Sequence, residues 1–199
     1  DDVTQWKSGK LSESEKNHIT QILRLFTQTD VAVGTNYIEN YLPKFKNNEI
    51  RAMLSSFVNR EFVHQRSYAL LNDTLGLPEE EFSAFTEVQA MQDKLDFMAD
   101  LDTNSVSGLG LAVARSVLNE GMSLFSAFAM LLNYQRFGKV KGMCEIVEWS
   151  IRDESMHCDG MAKLFRTFCD EHPRIVTDEF KANIYQMFRD AVKLEDKVI

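Results

Sequence analysis

Apolar residues recur every three or four positions along most of this chain, the period of a helix that buries one face. Ile19, Ile22, Leu23, Leu25 and Phe26 set the pattern, from a start at Ser12 or Ser14, either of which can cap the first N–H groups. The pattern continues to Pro43, with a bend expected near 27–30. Asn47 or Asn48 caps the next helix, over 49–76, which Gly76 and Pro78 end. A further helix follows Pro78 with Glu79, Glu80 and Glu81 in its first turn, where the helix dipole favours acids. Residues 103–108, TNSVSG, read as a loop. Helices then cover 109–135, stopped near Gly138, about 140–170, and 178 to the last residue. Residues 1–10 are polar and read as a lead-in. No segment shows the two-residue period of a strand, so the fold class is all-α, one helical bundle over 1–199.

One helix breaks the amphipathic rule. Over 109–135 small and apolar residues lie on every side, and the only charges are Arg115 and Glu120. A carboxylate there is paired, protonated or bound to a metal, because an isolated buried charge costs too much. A partner such as Arg115 is the simplest account of Glu120, and only the rest of the chain argues against it.

Composition narrows the function classes. Thirty acids against 22 bases give a net charge of −8, and no Lys/Arg cluster interrupts it, which excludes a general nucleic-acid binder. The uncharged stretch 121–135 is too short to span a bilayer, and the polar start does not resemble a signal peptide, so no membrane role is expected. Cys144, Cys158 and Cys169 are odd in number, lack CxxC spacing and fit reduced thiols of a cytoplasmic protein.

Three of the four histidines lie three residues after a glutamate: Glu15 and His18, Glu61 and His64, Glu154 and His157. That spacing puts both side chains on one helix face. Glu15 and His18 stand among Ser, Lys and Asn and read as a solvated face, and His172 beside Pro173 reads as a loop residue. The other two pairs sit among apolar residues, and each follows a lone acid in an earlier helix. Asp30 precedes Glu61 by 31 residues, and Glu120 precedes Glu154 by 34. Carboxylate, ExxH, carboxylate, ExxH is the pattern of the ferritin-like dinuclear carboxylate site. Four carboxylates in one core cannot all stay ionised unaided. Two divalent metals would neutralise them, and oxygen-rich ligation with two imidazoles suits iron or manganese better than zinc. Tyr68, four residues after His64, projects from the same face one turn on. A tyrosine at that spacing is ordinarily core packing, and beside such a site it is also a candidate one-electron donor.

The runs REFVHQRSY at 60–68, LNEGMSLFSAFA at 118–129 and SIRDESMHCDG at 150–160 resemble the small, radical-generating subunit of class I ribonucleotide reductase, over essentially the whole chain. The resemblance implies a ferritin-like bundle in which Asp30, Glu61 and His64 hold one metal and Glu120, Glu154 and His157 the other, with Glu61 and Glu154 bridging. It implies two iron ions, with manganese or a mixed pair as alternatives. It implies reaction with O2, a radical on Tyr68, a homodimer, and a large catalytic partner subunit that reduces ribonucleotides. Asp153 matches the acid that links a metal-bound histidine to the radical-transfer route, and Leu124 and Phe128 match residues that enclose the radical. Ser150 stands where a larger apolar residue is commoner, so a looser pocket is expected. The tryptophan that begins the transfer path and the tail that docks on the large subunit have no counterpart within 1–199, and both are expected beyond it. A ligand-binding metal oxidase of related sequence, an iron-storage protein and a metal-free relative are the alternatives. The four standing carboxylates argue against the last.

Overall fold

In a computed structural model, which describes residues 1–78 and 88–198, helices follow one another in the order the periodicity predicts, and the described residues contain no strand. They are α1 (Asp2–Lys7), α2 (Glu13–Asn36), α3 (Asn48–Leu75), α4 (Gln89–Ala99), α5 (Val106–Leu132), α6 (Lys141–Glu171) and α7 (Asp178–Val198). The acidic first turn expected at 79–81 lies outside the described residues. No described helix is long and apolar enough to cross a membrane.

Local chemistry sets the helix ends. At the start of α2 the Ser12 hydroxyl accepts from the Glu15 N–H at 3.3 Å, and the Ser12 N–H donates to the Glu15 carboxylate at 2.9 Å. This reciprocal capping box occupies the glutamate of the first ExxH pair. His18 is exposed and meets the Tyr134 hydroxyl at 2.8 Å, so that pair is surface structure, as its polar neighbours suggest. Asn47 accepts from the N–H groups of Glu49 and Ile50, and Gly76 closes α3 at φ +76°, a conformation that glycine reaches without strain.

Three expectations need correction. Residues 1–10 are more than a lead-in, because α1 caps another helix. Val140, at φ 42°, offers no side-chain cap to α6. Instead the Asp2 carboxylate accepts from the Met143 N–H at 2.8 Å and the Gln5 amide oxygen from the Val140 N–H at 2.8 Å. Polar residues that looked unstructured thus satisfy the open N–H groups of a distant helix start. The bend expected near 27–30 is also absent. Helix α2 runs unbroken to Asn36, and the irregularity comes later, in a π turn at Tyr37–Tyr41 where the Leu42 N–H reaches the Tyr37 carbonyl at 2.9 Å. Finally, α5 starts inside the expected loop, because Ser105 accepts from the Gly108 N–H at 2.9 Å and caps it.

The core divides into two apolar clusters. One holds Leu23, Phe26, Tyr68, Leu124, Phe128 and Val147; the other holds Val33, Tyr37, Phe57, Ala112, Val113 and Met161. Their order along each helix gives the topology. Helices α2 and α6 pass from the first cluster to the second, whereas α3 and α5 pass from the second to the first. So α2 runs against α3 and α5 runs against α6, and these two pairs make the most extensive helix packing. Helices α3 and α5 point the same way, so the chain must cross the length of the bundle between them, along the stretch that contains α4. Two hairpins joined by one long crossover form the ferritin-like arrangement. Helix α7 lies outside it, with Met187 and Ala191 against Leu118 of α5.

Candidate metal centre

Where each core helix passes from one apolar cluster to the other, it carries polar residues. Helix α2 brings Asp30, α3 Glu61 and His64, α5 Glu120, and α6 Glu154 and His157, and none of the six is more than 4% exposed. They converge in two overlapping groups. Ligand atoms of Asp30, Glu61, His64 and Glu154 lie within 4.8 Å of one another, and so do those of Glu61, Glu120, Glu154 and His157. Glu61 and Glu154 belong to both groups. Arg115 takes no part: it stacks on the Phe97 ring and donates to the backbone carbonyls of Phe97 and Asp100. Pairing with Arg115, the simplest account of Glu120, is thereby excluded.

The atoms face one another without satisfying one another. His157 Nδ1 lies 2.9 Å from Glu61 Oε1, 3.3 Å from Glu154 Oε2 and 3.5 Å from Glu120 Oε2, yet none of these four atoms has a hydrogen-bond partner of suitable geometry. Asp30 Oδ2 and His64 Nδ1 are likewise buried without one, although Glu154 Oε1 lies 3.0 Å from the latter. Buried polar groups of native proteins are almost always hydrogen-bonded, and orphans concentrated in one place call for an explanation. Lone pairs converging on common points, from carboxylates and imidazoles, are what a pair of divalent cations requires. The residues present therefore fit the group.

Electrostatics gives the same picture of the protein without cations. Burial pushes the carboxyls of Asp30 and Glu61 well above their usual range, and the neighbouring carboxylates add to it. Burial, with the Glu154 charge beside it, raises Glu120 to about 7. Burial acts upward on Glu154 too, but the approach of His157 and His64 outweighs it and draws that group down to about 2. Burial opposes an imidazolium at His157, yet Glu120, Glu154 and Glu61 crowd its Nδ1 and lift it to about 12. The cluster thus holds protons that it would give up to cations.

The surroundings complete the site. His64 Nε2 meets Asp153 Oδ2 at 3.2 Å, so the expected partnership of Asp153 with a histidine of the cluster is present. Tyr68, 1% exposed, lies in the first apolar cluster with Leu124 and Phe128. Burial, then the charge on Asp30, raises its phenol well above the usual range and keeps it protonated. Its hydroxyl donates to Ser150 Oγ at 2.8 Å. Ser150, the residue expected to loosen this pocket, is itself only 2% exposed and takes the phenol's hydrogen bond.

Sequence reasoning overlooked three neighbours. Phe26, one turn before Asp30, stacks on Tyr68 with ring centroids 5.2 Å apart and meets Phe128 at 4.7 Å. Phe57, one turn before Glu61, lies on the His157 ring at 4.3 Å. Tyr37, two turns after Asp30, donates its hydroxyl to Glu120 Oε1. Each lies on the face of its helix that carries a site residue, and that periodicity was the available signal.

Fold and site together define a ferritin-like helical protein with a buried carboxylate–histidine cluster in its four-helix core. The chain belongs to the ribonucleotide reductase small chain family, whose model matches residues 1–199. It is 36% identical over 218 aligned residues to a protein of Invertebrate iridescent virus 6 named "Probable ribonucleoside-diphosphate reductase small subunit 376L", an alignment covering all of this chain and 60% of that one. It is 31% identical to the ribonucleoside-diphosphate reductase subunit beta of Chlamydia pneumoniae, over 98% of this chain and 60% of the other. The chain therefore spans about three-fifths of the length of these relatives. A crystal structure from Bacillus halodurans, assigned to class I ribonucleotide reductase, superimposes with a TM-score of 0.89 over 98% of this chain and 71% of its own, at 23% identity. That likeness supports the fold.

Proposed function

We propose that this chain is the radical-generating part of a ribonucleotide reductase small subunit. In this reading Asp30, Glu61 and His64 hold one metal ion, Glu120, Glu154 and His157 hold a second, and Glu61 and Glu154 are shared. The observation that carries it is the set of buried, unpartnered ligand atoms, which fall into two groups with two carboxylates in common. Iron and manganese, singly or mixed, both suit oxygen donors with two imidazoles. When bound, such a pair supplies the capacity to activate O2 and to act as a one-electron oxidant.

The chain's own residues do the rest. Neutral imidazoles at His64 and His157 ligate without adding charge, and Asp153 orients His64 by accepting from its outer nitrogen. Tyr68 would give one electron to that oxidant and its Oη proton to a base of the metal centre. The Phe26, Leu124 and Phe128 side chains exclude the water and reductants that would quench the resulting radical. The same chemistry requires a large catalytic partner that accepts the radical and reduces ribonucleotides, and we place the active form in a homodimer. Three free cysteines fit a reducing, cytoplasmic setting.

Adding Fe(II) and O2 to the metal-free protein tests this directly. The expected outcome is a sharp tyrosyl signal by electron paramagnetic resonance, lost in Tyr68→Phe while metal uptake persists. An unchanged signal in Tyr68→Phe would place the radical elsewhere, and a long-chain ligand or a tyrosine cross-link found near the metals would point to a ligand oxidase.

A further inference from the structure

The two halves of the cluster are braced differently. In the half formed by Asp30 and His64, the outer nitrogen of the imidazole is held by Asp153 at 3.2 Å. In the other half, His157 Nε2 is buried and has no hydrogen-bond partner. What braces that half is a phenol. Tyr37, with no exposed surface, donates to Glu120 Oε1, while Glu120 Oε2 has no hydrogen-bond partner and lies 3.5 Å from His157 Nδ1.

From this geometry we infer that Tyr37 is a positioning residue for the metal on the Glu120 side, a role that rests on the two-metal reading above. A phenol has one proton to donate, so it can hold only one carboxylate oxygen. Holding Oε1 sets the torsion of the Glu120 side chain and leaves Oε2 aimed into the cluster. The phenol is itself fixed. Its ring sits between Tyr41 at 5.8 Å and Phe57 at 5.9 Å, and Phe57 lies in turn on the His157 ring. Backbone geometry contributes as well. Tyr37 opens the π turn that ends α2, and such single turns of wider helix recur at functional sites because they re-aim side chains. Helix α2 thus serves both halves, with Asp30 as a ligand in one and Tyr37 as the brace in the other.

Outer partners of metal ligands set affinity, and losing one weakens binding by roughly 10- to 100-fold. The effect of losing Tyr37 should fall on one of the two ions. Anaerobic titration with Mn(II), following the free ion by electron paramagnetic resonance, would compare the native protein with Tyr37→Phe and Tyr41→Phe. Tyr41 is a suitable control, because it packs on the same ring but its hydroxyl donates to the Ala112 carbonyl at 2.8 Å and to no residue of the cluster. Two binding steps are expected in all three proteins, with one step about 10-fold or more weaker in Tyr37→Phe alone, and thermal melts of the metal-free proteins would verify folding. Unchanged affinities in Tyr37→Phe, or equal losses at both steps in both variants, would overturn the inference and leave the two-metal reading standing. Failure of the native protein to take up two ions would instead overturn that reading, and this inference with it.

Discussion

At the scale of single residues, Tyr68 is held by one polar partner inside an apolar pocket. The phenol donates to Ser150 Oγ at 2.8 Å. Removing the acceptor would leave a buried hydroxyl without a partner, which costs about 1–3 kcal/mol. Ser150→Ala is therefore expected to lower the stability of the metal-free protein by about that amount, as read from urea unfolding. It should also change the line shape of any Tyr68 radical, because the hydrogen bond perturbs the phenolic oxygen. Stability equal to that of the native protein would mean that the hydroxyl finds another partner. The six residues that the structure brings together stood out in sequence because each acid or ExxH pair falls among apolar neighbours at a similar interval from the next. Ser150, Phe26, Phe57 and Tyr37 were not singled out as supports, because their roles depend on which residue faces them from another helix. Periodicity places Phe26, Phe57 and Tyr37 on the faces that carry the site, but only packing shows what each one meets.

At the scale of the helices, close approach decides how the rings sit. A Cβ placed on Gly160 would come within 2.6 Å of Phe57 Cζ and 3.2 Å of Met53 Sδ. The methionine can turn away, but the phenylalanine is held between Tyr37 and His157. Gly160→Ala therefore sets two effects against each other. Alanine favours the helix by about 1 kcal/mol, and overpacking costs about 1–3 kcal/mol. With a confined aromatic ring the second effect should dominate, giving a lower melting temperature and weaker Mn(II) binding, since the displaced ring bears on His157. A net stabilisation would show that Phe57 moves freely. Element order and most helix ends could be read from apolar periodicity and capping residues. The exceptions were α1, the π turn and the start of α5. The first is held by hydrogen bonds to a helix start more than a hundred residues away, and the second follows from Tyr37 and Tyr41 both turning inward, which no local propensity encodes.

At the scale of the whole molecule, the bundle keeps a cluster of acids and imidazoles whose protonation ties its stability to pH. Without cations the native state retains a proton on Glu120 up to about 7, whereas an unfolded chain releases it near the ordinary 4.5. Stability from that group is present at low pH and is lost as pH rises from the lower value to the higher. His157, lifted from 6.5 to about 12, contributes stability below its ordinary value that fades as pH climbs through that span. Incoming cations must displace these protons, so affinity should rise with pH around neutrality, with protons released on binding. We propose that six side chains from four helices make one site for two ions. Anaerobic calorimetric titration with Mn(II) at pH 7, repeated in two buffers of different ionisation enthalpy, tests it most directly. Two ions bound per chain are expected, with net release of protons to the buffer; a single ion per chain, or binding without proton release, would overturn the two-ion site.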